Sequence, residues 1–234
     1  ASRQMGAGLR DALNREDRPT LERWLRLLPE EMIRRNPDLL IVRAWILEWT
    51  WRLDQQAQVL DQVEKLLDSE AGVSLPMVDL QILRGQILAF KAQQAYFSNQ
   101  TTLAIDLCQQ SLALLTPSWT FARGGAMFFL GLSMQASGQA LEAEQLLLAE
   151  YGSNDDKTNP YIMLLLRSLG FIYLNTGQLE QASRIAQVQL EGSIHNNIAI
   201  MKTWADWFLG VVHYQRYELQ AAAQYFTQIV ENRF

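Results

Sequence analysis

Gly170-Phe171-Ile172-Tyr173-Leu174-Asn175-Thr176-Gly177-Gln178-Leu179-Glu180-Gln181-Ala182 decides the fold of this chain. It holds a glycine, a Gly-Gln step seven residues later and an alanine twelve residues later, and the frame recurs on either side. Gly131 is followed by Gly138-Gln139 and Ala143, and Gly210 by Ala222. The glycines step by 39 and 40 residues, and so do the alanines. A fixed period of this length marks a stacked repeat protein. Glycine inside one helix and alanine early in the next let two helices pack closely, and the Gly-Gln step makes the turn between them.

Working outward, a 3.6-residue apolar period dominates and no alternating strand pattern is evident. Short helices are expected over 4–13 and 20–28, and Asn36 is placed to cap a helix opened by Pro37. The expected pairs are a helix from 37 to about 50 with 55–68, then 78–97 with 102–116, 119–137 with 140–151, 160–176 with 179–191, and 196–216 with 219–232. Gly85 and Ala104 take the small-residue positions of the second pair, at a wider spacing. The fold class is therefore all-α: a right-handed superhelix of about five tetratricopeptide-like helix pairs, an α-solenoid. Residues 1–36 lead into it and 37–234 form the repeat array. The close of the chain, Asn232-Arg233-Phe234 directly after an apolar stripe (Tyr225, Phe226, Ile229, Val230), reads as a fragment of a longer protein. An open final repeat of that kind would allow self-association through the carboxy-terminal end.

Composition narrows the function. Half the chain is hydrophobic (49%), enough for a core, and the net charge is −5 with no basic block, against direct nucleic-acid binding. No run of 18 apolar residues suggests a membrane span. One cysteine, Cys108, excludes an internal disulfide and fits a reducing, cytoplasmic setting. It reads as a packed thiol among Leu107, Leu112 and Leu115. His195 and His213 stand apart, without ligands at metal spacing, and Asp155-Asp156 lacks the calcium-loop pattern. No Ser-His-Asp, Cys-His or paired-carboxylate arrangement emerges, so no enzyme, metal or cofactor is expected.

The Gly-x2-Tyr step at Gly170–Tyr173, followed by Ala182, resembles tetratricopeptide repeats. At the amino end, Trp24-x2-Leu27-Leu28-Pro29-Glu30-Glu31, Arg34-Arg35-Asn36-Pro37-Asp38-Leu39-Leu40, Arg43-Ala44-Trp45 and Arg52-Leu53-Asp54-Gln55-Gln56-Ala57 resemble the opening of a known sensor region. That region is the superhelix of the large ATP-dependent LuxR-family transcription activators of the maltose-activator (MalT) type. The resemblance implies a module that senses a small-molecule effector or a regulatory protein. The nucleotide switch and DNA-reading domain of such activators have no counterpart here, since no Gly-x4-Gly-Lys-[Ser/Thr] loop is present. A general protein-interaction scaffold is the alternative.

A stacked array repeats each first-helix position along one wall. Three residues before each glycine stand Phe128, Arg167 and Trp207, and four or five after stand Gln135, Asn175 and Tyr214. If these positions face the groove, an arginine lies between aromatic residues with amides at the rim, suited to a sugar ring, a peptide or a small organic effector. The competing reading makes Phe128 and Trp207 core and pairs Arg167 with a carboxylate. The pairs Trp45/Trp49 and Trp204/Trp207 each share a helix face.

Overall fold

A computed structural model describes residues 2–69, 75–156, 159–196 and 199–231, with thirteen helices and no strand among them. In chain order these are α1 (Ser2–Asn14), α2 (Arg18–Leu27), α3 (Glu30–Arg34), α4 (Pro37–Trp49), α5 (Leu53–Leu67), α6 (Met77–Phe97), α7 (Thr101–Leu114), α8 (Thr120–Ala136), α9 (Ala140–Ser153), α10 (Pro160–Asn175), α11 (Leu179–Asn196), α12 (Ala199–Gln215) and α13 (Leu219–Glu231). The protein is an all-α solenoid of tetratricopeptide-like helix pairs. α11 runs past its expected end at 191, so that Asn196 closes it rather than opening α12, and several other boundaries differ by one or two residues. Residues 232–234 lie outside the described residues, as does the side chain of His195. The chain divides into two compact units, Ala1–Lys91 with Gln109–Arg123, and Ala92–Cys108 with Gly124–Phe234.

In the first unit, the helix starts follow the local chemistry. Asp17 accepts from the Thr20 N–H at 3.2 Å, and Asn36 accepts from Asp38 and Leu39 at 2.9 and 3.2 Å. Each satisfies N–H groups that a first helical turn leaves free. Apolar residues surround α4 on most sides, and Trp45 is core. Its ring packs 4.2 Å from Phe90 and 5.1 Å from Phe121, and its indole N–H donates to buried Gln86 at 2.9 Å. Arg43 reaches back from α4 to grip both Glu30 oxygens at 2.8 and 2.7 Å, fixing α3 against it.

In the second unit, α10 is buried along nearly its whole length, from Tyr161 to Leu174. Asn159 caps it through the Ile162 N–H at 3.0 Å, and Pro160 opens it. Ala143, Ala182 and Ala222 are 0, 0 and 3% exposed, as close packing requires. The glycines divide in their roles. A Cβ on Gly210 would lie 2.6 Å from Phe226 of the partner helix α13. On Gly131 it would strike Leu147 of α9 at 2.9 Å and also Ser168 of α10. On Gly170 the nearest atoms it would meet are those of Phe208, at 2.8 Å, on α12, the first helix of the following pair. There the missing side chain admits a neighbouring repeat, a role beyond the expected within-pair contact.

The turns repeat more faithfully than the sequence does. Glu16, Trp51, Asn99, Gly138, Gly177 and Tyr217 have φ of 52, 56, 59, 87, 74 and 60°, each in the turn after a first helix. In every case the residue's N–H donates three residues back, at 2.9–3.2 Å, and the next N–H five residues back, at 2.8–2.9 Å. This is the Schellman arrangement that closes a helix carboxy terminus. It includes the α1–α2 hairpin, so the same device operates from the start of the chain.

Candidate functional site

The predicted site residues lie on the first helices of the second unit. α10 carries Arg167 and, one turn on, Phe171; α12 carries Trp204, Trp207 and Phe208; α8 contributes Phe128 and Phe129; α6 ends in Tyr96 and Phe97. Helical spacing of three and four puts each set on one face.

These side chains form a run of touching rings. Phe97 lies 5.9 Å from Phe129, Phe129 5.0 Å from Phe128, and Phe128 5.9 Å from Phe171. Phe171 then lies 5.4 Å from Trp207 and 5.8 Å from Trp204, which are 5.9 Å from each other. Most contacts are edge-on or tilted, the geometry that ring quadrupoles favour, worth about 0.5–1.5 kcal/mol per pair beyond burial. Phe128, Phe171, Trp204 and Trp207 are half-buried, and Phe97 is 50% exposed. Phe129 and Phe208 are core and anchor the run from beneath.

Arg167 is half-buried, with its guanidinium carbon 4.9 Å from the centre of the Trp204 ring. Gln135 and Asn175 meet directly, the Asn175 amide donating to Gln135 Oε1 at 3.2 Å. The structure therefore joins five of the six predicted residues into two groups. Phe128 and Trp207 belong to the ring run, with Arg167 attached through Trp204, and Gln135 and Asn175 form an amide pair. Tyr214 stands apart, 62% exposed and outside the ring run. Two members escaped the sequence reading. Phe171 bridges Phe128 to Trp207, and Trp204, not Trp207, carries the arginine. Both were signalled by spacing, Phe171 four residues after Arg167 and Trp204 three before Trp207.

The surroundings supply further polar anchors. Lys202 Nζ meets Asp206 at 2.6 Å, a carboxylate only 2% exposed on α12. Tyr173 donates to Glu144 at 2.9 Å and Tyr161 to Glu150 at 2.7 Å, tying α10 to α9. Burial and the Glu144 carboxylate both push the Tyr173 phenol above its usual range, so it remains a donor. His213 pairs with Glu218 and stacks on Tyr225 at 5.4 Å. The arrangement can stack a flat or ring-shaped molecule, donate hydrogen bonds from a guanidinium and offer amides. Among the described residues no group of three or more His, Cys, Asp or Glu side chains gathers to hold a metal. No described helix is long and apolar enough to cross a membrane. Cys108 is fully buried, and burial pushes its thiol up to about 12. Clefts of about 730 and 320 Å³ lie in the first unit.

Residues 85–231 match the family described as the MalT-like TPR region. The chain belongs to this family. No curated protein matches it. The match to the MalT-like TPR region begins at Gly85, inside α6, and runs to the last residue of α13. It contains the whole ring run, Arg167 and the Gln135–Asn175 pair. The amino-terminal segment Leu21–Asp68, which carried much of the sequence resemblance, lies outside it.

Proposed function

We propose that this chain is the effector-sensing region of a LuxR-family, MalT-type transcriptional activator, acting in the cytoplasm and binding rather than transforming its ligand. The observation that carries the reading is the half-buried ring run with Arg167 on Trp204. Stacked rings that stop short of full burial leave apolar faces for a ligand, and an arginine fork orients its polar groups. The ligand class is a small polar organic molecule with one apolar face, such as a sugar. Signalling requires that the ligand favour one arrangement of the repeats, because only differential affinity shifts an equilibrium.

A second reading, a scaffold that binds a regulatory protein or peptide, is favoured by the exposure of Phe97 at the end of the run. A thermal-shift screen against sugars, nucleotides and amino acids separates the two. A small ligand at 100 times its Kd adds about 2.7 kcal/mol of stability. Binding that is lost in Trp204→Ala supports the sensing reading. A screen without any stabilising small molecule, with a peptide captured on the same rings, establishes the scaffold instead.

A further inference from the structure

The cleft of about 730 Å³ in the first unit is built differently from the ring run. Leu25, Ile46, Leu47 and Val59 form its apolar lining, and Gln55, Gln58 and Gln62 present amides from one face of α5. Four charged side chains complete it. Glu22 is held by Arg18 at 2.6 Å, and Arg43 is neutralised by its two-pronged bond to Glu30. Arg26, in the last turn of α2, and Arg52, at the start of α5, meet no carboxylate among the described residues. The cleft thus keeps two uncompensated arginines in a chain whose net charge is −5.

We propose that this cleft, between α2, α4 and α5, binds a small organic phosphate monoester. Two unneutralised guanidinium groups match the roughly −1.5 to −2 charge of such an ester at neutral pH, and each guanidinium presents a planar fork suited to phosphate oxygens. The space exceeds what a phosphate alone fills and falls within the range of small-molecule sites. The apolar lining covers the carbon skeleton, and the glutamines bond its hydroxyls through both donor and acceptor atoms. The site is independent of the sensing role proposed above, since none of its residues belongs to the ring run.

The test is isothermal titration of the 234-residue chain with glucose 6-phosphate, glycerol 3-phosphate, glucose and inorganic phosphate. The expected result is saturable binding of at least one ester, weaker at high salt, with glucose and inorganic phosphate weaker by about tenfold or more. Arg26→Gln and Arg52→Gln should each weaken the ester about tenfold without moving the melting temperature. Arg184→Gln, at an exposed position of α11, should leave it unchanged. Because Arg52 adjoins the start of α5, Arg26→Glu provides a second variant that reverses charge away from that turn. The proposal is overturned if neither ester binds, if inorganic phosphate binds as tightly as the esters, or if binding survives Arg26→Glu.

Discussion

The Arg167 guanidinium, on α10, stacks on the Trp204 ring of α12 with 4.9 Å between its central carbon and the ring centre. This contact ties the only arginine of the candidate site to its aromatic run. A half-buried cation–π pair is worth about 0.5–2 kcal/mol, so Arg167→Ala should lower stability by that order. Against a ligand found by screening it should also raise Kd about tenfold, as measured by titration. Arg167→Lys should not restore binding, because lysine lacks the planar fork. Affinity and stability both unchanged in Arg167→Ala would remove the residue from the site.

Tyr217 holds φ of 60° while 88% of it is exposed, so its backbone strain has little packing to offset it. Tyr217→Gly should stabilise the protein by about 1 kcal/mol, and Gly177→Ala should destabilise it by about 1–2 kcal/mol. Equilibrium urea denaturation of the two variants reads both effects, and equal midpoints would show that the turn geometry carries no such cost.

Ala182 is fully buried in the first turn of α11. Ala182→Leu should over-pack that contact and cost about 1–3 kcal/mol. A neutral result in the same denaturation assay would mean that the repeat alanines are not close-packing positions.

Tyr173 joins α10 to α9 through one hydrogen bond to the Glu144 carboxylate. Tyr173→Phe should cost about 1–2 kcal/mol, and the loss should shrink when Glu144 is already glutamine. A double-mutant cycle with no coupling would assign the tyrosine a packing role alone.

Glu30 supplies a pH test. The bonds from Arg43, with a lesser contribution from Arg34, hold its carboxyl at about 2 instead of the ordinary 4.5. A depressed folded-state value stabilises the fold above 4.5, and that stabilisation is lost as pH falls toward 2. The side chain is half exposed, so solvent and salt screen the effect and keep it small. Wild type should be more stable than Glu30→Gln at neutral pH, with the difference shrinking across this window. A difference independent of pH would disprove the linkage.

The repeat was legible because it rests on small residues whose absence of bulk is itself the structural requirement. Gly131, Gly170, Gly210 and their alanines could hardly be replaced without clashes, so the period survived in the text. The turns were legible only at Gly138 and Gly177. At Glu16, Trp51, Asn99 and Tyr217 the same geometry is imposed by two backbone hydrogen bonds, which leave no mark on the side chain. Arg167 and its aromatic neighbourhood followed from repeat spacing, but its stacking partner did not. Which of Trp204 and Trp207 receives the guanidinium depends on how α10 and α12 pack, and Gly170 sets that through Phe208. Tyr214 lies in the last turn of α12, exposed and outside the ring run.

Cys108 is sealed in the interior with its thiol held up to about 12, so in the folded protein it is neither exposed nor ionised. Alkylating reagents reach it only when α7 opens. The rate of its modification is therefore a built-in clock for local opening of the array, readable without any added label. The same silence frees cysteines introduced on the surface, beside Arg26 or Trp204 for example, to take a fluorophore selectively. One wild-type thiol thus permits site-specific labelling and timing of the protein's motions in the same molecule.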